Sequence, residues 1–138
     1  MTASPDRFRL EAPAEASHVG TARMFAASVA RIVGVAEDTI EDVKLAVSEA
    51  CSSLVDPEAA DPGELSLEAV HQDGRLTFEA AGTRGALALP PDQEGDTPTP
   101  VDLVAELRFE LVEALFRGSE VTTGPDGATV IRFAVPTG

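Results

Sequence analysis

The sequence predicts an α+β fold, a two-layer sandwich in which a mostly antiparallel sheet packs on three helices. Three observations predict it. Three stretches place apolar residues at helical spacing. Two pairs of short alternating runs, each pair joined by a glycine turn, read as hairpins. The length, 138 residues, is that of one domain, so helices and hairpins have to share a core. Residues 1–138 are read as a single domain with a long irregular loop at about 84–100.

The elements follow in order. Residues 7–12 (RFRLEA) alternate roughly and stop at Pro13, which predicts a short strand. From Glu15 to Val33 the apolar residues Ala22, Phe25, Ala26, Val29, Ile32 and Val33 recur at helical spacing. Ser17 can cap this helix and Gly34 can end it. Residues 36–55 predict a second helix with an apolar stripe of Ile40, Val43, Val47, Ala50 and Leu54. Its first turns hold Glu37, Asp38, Glu41 and Asp42, where the helix dipole favours acids. Asp56-Pro57 and Asp61-Pro62-Gly63 mark a turn-rich connection. Residues 64–71 and 75–80 then alternate on either side of Asp73-Gly74, the pattern of a tight hairpin. The stretch 84–100 holds Pro90, Pro91, Pro98 and Pro100, which breaks any regular element. Helical spacing returns at 101–117 through Val101, Val104, Leu107, Leu111, Leu115 and Phe116, with Gly118 to end it. Strands at 119–123 and 128–135, turning at Gly124-Pro125-Asp126-Gly127, close the chain.

Composition narrows the function. With 43% hydrophobic and 25% charged residues this is a folding chain. Twenty-four acids against ten bases give a formal net charge of −14, which opposes direct binding to nucleic-acid phosphates. There is no Trp or Tyr, so an aromatic stacking platform for single strands is not expected. Cys51 is the single cysteine, which excludes an internal disulfide and a cysteine-cluster metal site. No apolar run approaches the roughly 18–20 residues of a membrane span, and the N-terminus MTASPDRFRL lacks the apolar core of a signal peptide. A reduced, cytoplasmic location is expected.

A few residues could carry chemistry. Leu45, Glu49 and Ser53 lie at i, i+4 and i+8, on a second line of the 36–55 helix away from its apolar stripe. That face is either solvated or covered by a ligand or partner. Cys51 points toward the stripe and reads as a small core residue. His18 and His71 read as surface residues. Gly82-Thr83-Arg84-Gly85 after a strand could form a phosphate turn, but a glycine pair after a strand is most often only a turn. No GxxxxGK[ST] or GxGxxG is present.

In this order of elements, the string IEDVKLAVSEACSSLV (40–55) resembles the bacterial anti-sigma factors that are also serine protein kinases, within the GHKL (Bergerat-fold) ATPase group. The similarity extends to EAPAEASHVGTARM (11–24), to the Thr97–Asp102 segment, which resembles the family's lid, and to LVEALF (111–116) and DGATVIRFAVP (126–136). The resemblance implies the Bergerat form of the α+β sandwich, with 84–100 as a lid-like loop. It implies partner switching with a sigma factor and an anti-anti-sigma (STAS-domain) protein, and a homodimer. It also implies ATP and Mg2+ as cofactors and activity as a serine/threonine kinase.

The family's ATP site maps onto this chain residue by residue. In the helix motif E-x-x-x-N, the Glu that activates the attacking hydroxyl corresponds to Glu49, while the magnesium-binding Asn position holds Ser53. In D-x-G-x-G, the Asp that accepts from the adenine amino group is replaced by Ala80. Gly82 remains, and Arg84 occupies the second glycine position. The glycine box around the phosphates reads Ala105-Glu106-Leu107-Arg108, where Glu106 would repel the triphosphate and Arg108 would partly offset it. An alanine has no acceptor, and a lost buried hydrogen bond costs about 1–3 kcal/mol. The expectation is therefore a degenerate site with no bound cofactor, on a scaffold that still binds proteins. Arg23 matches a family arginine on the first helix and is the candidate partner contact. The alternative is an active ATP-dependent kinase that phosphorylates its anti-anti-sigma antagonist, with Glu49 as catalytic base and Ser53 as metal ligand.

Overall fold

A computed structural model of the chain describes residues 4–82, 100–123 and 128–137, with the side chains of 100–106 excepted. Strand β1 (Asp6–Pro13) leads through a short 3-10 turn (Ala16–His18) into helix α1 (Val19–Ile32) and helix α2 (Glu37–Ser53). The hairpin β2 (Glu64–Gln72) and β3 (Arg75–Gly82) follows, then helix α3 (Pro100–Leu115) and strands β4 (Glu120–Thr123) and β5 (Thr129–Pro136). The strands form one sheet in the order β1-β2-β3-β5-β4, with every ladder antiparallel. The chain therefore has the α+β sandwich that its patterning predicts. The expected loop at 84–100 falls, but for Pro100, outside the described residues, as does the turn at 124–127.

Local chemistry sets the boundaries. Gly34 adopts a φ of +88°. Its N–H donates to Arg31 O at 3.2 Å, and Val35 N–H donates to Ala30 O at 2.9 Å. That pair of bonds satisfies the last carbonyls of α1, and a side chain with a Cβ would be strained at this φ. Asp73 and Gly74 have φ values of +54° and +74°, the left-handed pair that a two-residue hairpin needs to match the twist of its strands.

At the start of α1 the expectation fails. The flanking residue is His18, no side-chain cap bond forms, and Ser17 lies inside the 3-10 turn. The chain enters the helix through tightened backbone turns instead of a hydroxyl cap.

The core lies between the helix layer and one face of the sheet. Leu65, Leu67 and Ala69 of β2, Leu76, Phe78 and Ala80 of β3, and Ile131, Phe133 and Val135 of β5 point into it. Phe133 stacks on Phe78 at 5.3 Å between ring centroids and on Phe116 at 5.2 Å, so it joins two strands to the end of α3. Ala22, Ala26, Ala27 and Ala30 line the buried side of α1, and their size lets α2 approach closely.

Two helix faces differ from their expected stripes. In α3 the inward line is Arg108, Val112 and Phe116, with Val112 fully buried, while Leu107 is 64% exposed and Leu111 is 40% exposed. One residue of offset is about 100° of helix, enough to turn a leucine from core to solvent. Ile32 is likewise exposed, at the end of α1 and at the edge of its alanine-valine stripe.

The opposite face of the sheet carries a row with one residue from each strand. Arg9, Glu68, Glu79, Arg132 and Glu120 are direct cross-strand partners. Arg9 pairs with Glu68 at 3.3 Å and Arg132 Nε with Glu79 at 2.8 Å. The Arg9–Glu68, Glu79–Arg132 and Arg132–Glu120 neighbours favour this register and offset the like charges of Glu68 and Glu79, which also face each other, although each exposed pair contributes only about 0–1 kcal/mol.

Candidate functional site

The candidate site lies where the middle of α2 faces α3 and the end of β3. Glu49 sits on the side of α2 turned from the deepest core and is half-buried. Its carboxylate accepts a hydrogen bond from Arg108 Nη1 at 2.9 Å. The side chains of Arg108 and Glu49 are 36% and 23% exposed, which places this ion pair between surface and core. The two residues are 59 positions apart, so α3 has to fold onto α2 before they meet.

One turn after Glu49, Ser53 is buried at 1% exposure. Its hydroxyl donates to the carbonyl oxygen of Glu49 at 2.9 Å. This back-bond within the helix is the usual way a buried serine satisfies itself. It turns the hydroxyl toward its own backbone. Leu45, at the start of the same line, is 43% exposed. The line Leu45, Glu49, Ser53 thus runs from solvent to core.

On β3, Ala80 is fully buried. Its methyl group is among the core residues between sheet and helices, and it offers no hydrogen-bond acceptor. Gly82 is buried against the end of α2. A methyl group added there would lie 2.9 Å from Leu54 Cβ and 3.3 Å from the Leu54 carbonyl oxygen. Its lack of a side chain is therefore needed for packing between β3 and α2. Arg84 lies outside the described residues. Glu106 lies in the helical backbone of α3, and its side chain is outside the described set.

Cys51 is fully buried, and burial pushes its thiol up to about 12, far from nucleophilic use. His18 lies 3.6 Å from Glu15, and His71 lies 3.9 Å from Asp6, both in surface pairs. Among the described residues no group of three or more His, Cys, Asp or Glu could hold a metal ion. Arg23 is exposed on α1 beside Met24, which is 63% exposed. Among the described residues its guanidinium has no ion pair.

Of the residues that the sequence singles out, Glu49 meets Arg108 between α2 and α3, Gly82 packs on Leu54 at the end of α2, and Ala80 lies in the core of the sheet face. The partnership of Arg108 with Glu49 is not visible in the sequence motifs. A signal for it exists, because Arg108 stands at i−4 and i−8 from Val112 and Phe116, on the inward line of α3. The exposed leucines beside it draw the apparent stripe to the wrong side. No helix among the described residues is long and apolar enough to cross a membrane.

Comparison with known proteins agrees with this architecture. The histidine kinase-like ATPase domain family matches residues 12–132. A serine-protein kinase RsbW from Bacillus cereus is 36% identical over 77 residues, which cover 55% of this chain and 48% of that protein. RsbW from Bacillus velezensis is 44% identical over 55 residues, 40% of this chain and 34% of that protein. The matched stretch thus spans about half the length of these relatives or less. A solved structure of the RsbU and RsbW domains of Rv1364c from Mycobacterium tuberculosis shares the fold. The TM-score is 0.67 at 16% identity, covering 96% of this chain and 33% of that one.

Proposed function

The chain belongs to the histidine kinase-like ATPase domain family, and on that premise we propose that it is an anti-sigma-factor-like regulator with a disabled nucleotide site. It would hold a sigma factor or an anti-anti-sigma (STAS-domain) partner by surface contacts, as a cytoplasmic homodimer. Its RsbW relatives support the partner-switching class.

The observation that carries the loss of nucleotide chemistry is Ala80. An adenine amino group needs an acceptor at this place, and a fully buried methyl group supplies none. The other positions point the same way. Ser53 is 1% exposed, which leaves its oxygen no open side for a metal, and Glu49 is held by a guanidinium. Neither arrangement suits a magnesium ion or a base waiting for a hydroxyl. With the chemistry gone, the exposed face of α1 around Arg23 remains as the binding surface.

The kinase reading has one observation in its favour, the retention of Glu49 on α2. It requires Arg108 to release that carboxylate and ATP to bind without an acceptor at residue 80.

The test uses sigma factors and STAS-domain proteins encoded in the same genome. Their affinity for this chain is measured with and without ATP and Mg2+, and the mixtures are examined by intact-mass spectrometry. The proposal expects one of them to bind equally well under both conditions and to gain no phosphate. Arg23→Ala should weaken that binding at least tenfold. A phosphorylated STAS protein would establish the kinase reading instead.

A further inference from the structure

The inward line of α3 consists of Val112, which is fully buried, Phe116, which is stacked on Phe133, and Arg108 one turn before them. Arg108 holds the next anchor position of the stripe, yet it is charged. Its guanidinium reaches across to α2 and ends on Glu49 at 2.9 Å. The pair is only partly exposed on both sides. In such a place water screens a carboxylate and a cation somewhat less than at the open surface. The chain supplies that cation from its own third helix.

We propose that Arg108 is an internal counter-cation that latches the middle of α3 onto α2 through Glu49, so that the packing of these helices needs no bound nucleotide or metal. Arg108 is a positioning residue. This inference rests on the disabled-site reading above. Removing the charge should loosen α3 around its middle while Val112 and Phe116 keep its end in the core.

The test is a double-mutant cycle in the full chain, read by amide hydrogen exchange along α3. Arg108→Met keeps the aliphatic stem and removes the charge. Glu49→Gln keeps the size and removes the partner's charge. Each single variant should speed exchange at residues 108–111 by roughly threefold to tenfold, with residues 113–116 little changed. The double variant should be no worse than either single one, since the latch is already gone. The charge swap Glu49→Arg with Arg108→Glu should recover part of the protection. Unchanged exchange in the single variants, or effects that add in the double variant, would overturn the latch. ATP with Mg2+ is titrated into the unaltered chain in parallel. Binding there would sink the disabled-site reading, while the exchange rates of the cycle still report on the ion pair, so the two failures can be told apart.

Discussion

At residue 80 a methyl group fills a core position. Ala80 is fully buried. Ala80→Asp would place a carboxylate among apolar side chains, and we expect a loss of about 3 kcal/mol or more in a urea titration. A loss below about 1 kcal/mol would mean that solvent or a ligand reaches this position. Gly82→Ala should cost roughly 1–3 kcal/mol by the same assay, because the new methyl group meets the Leu54 backbone as well as its side chain. Cys51 adds a pH dependence. Burial raises its thiol from an ordinary 9.0 to about 12, so the folded state favours the neutral form. Its contribution is fully present below about pH 9 and declines as pH rises from there toward 12. Cys51→Ala should flatten the alkaline limb of the stability profile, which thermal melts across that range will show. Glu49, Ser53, Ala80 and Gly82 could be singled out from the sequence because they sit in one helix motif and one strand motif. The bond between Glu49 and Arg108 could not, because it is made between helices 59 residues apart. Sequence spacing orders side chains along one element and says nothing of how two elements meet.

At the scale of elements, periodicity located both hairpins and all three helices. The signals were strong where chemistry is local. Asp73-Gly74 and Gly34 each adopt the left-handed backbone that their turns require. The faces of helices were harder to read. Leu107 and Leu111 have the spacing of core residues and are exposed, while Val112 is buried. A helix rich in leucine and glutamate has several plausible stripes, and the choice is made by Phe133, which receives Phe116. Phe133→Ala should therefore cost about 3–5 kcal/mol and also loosen α3, since the ring touches both layers. Chemical denaturation gives the first quantity and amide exchange in α3 the second. A loss under about 2 kcal/mol would show that α3 is anchored elsewhere.

At the scale of the whole molecule, the sheet buries one face under the helices and carries a charged row with two ion pairs on the other. The fold is that of the histidine kinase-like ATPase domain. Whether it still works as one depends on nucleotide affinity. The most direct measurement is the thermal stability of the purified chain titrated with ATP and Mg2+. A ligand at a hundredfold excess over its dissociation constant stabilises its host by about 2.7 kcal/mol. For a domain of this size that corresponds to a rise of roughly 10 °C in the melting temperature. Our account predicts a flat melting temperature up to millimolar nucleotide, and a saturable rise of several degrees would contradict it.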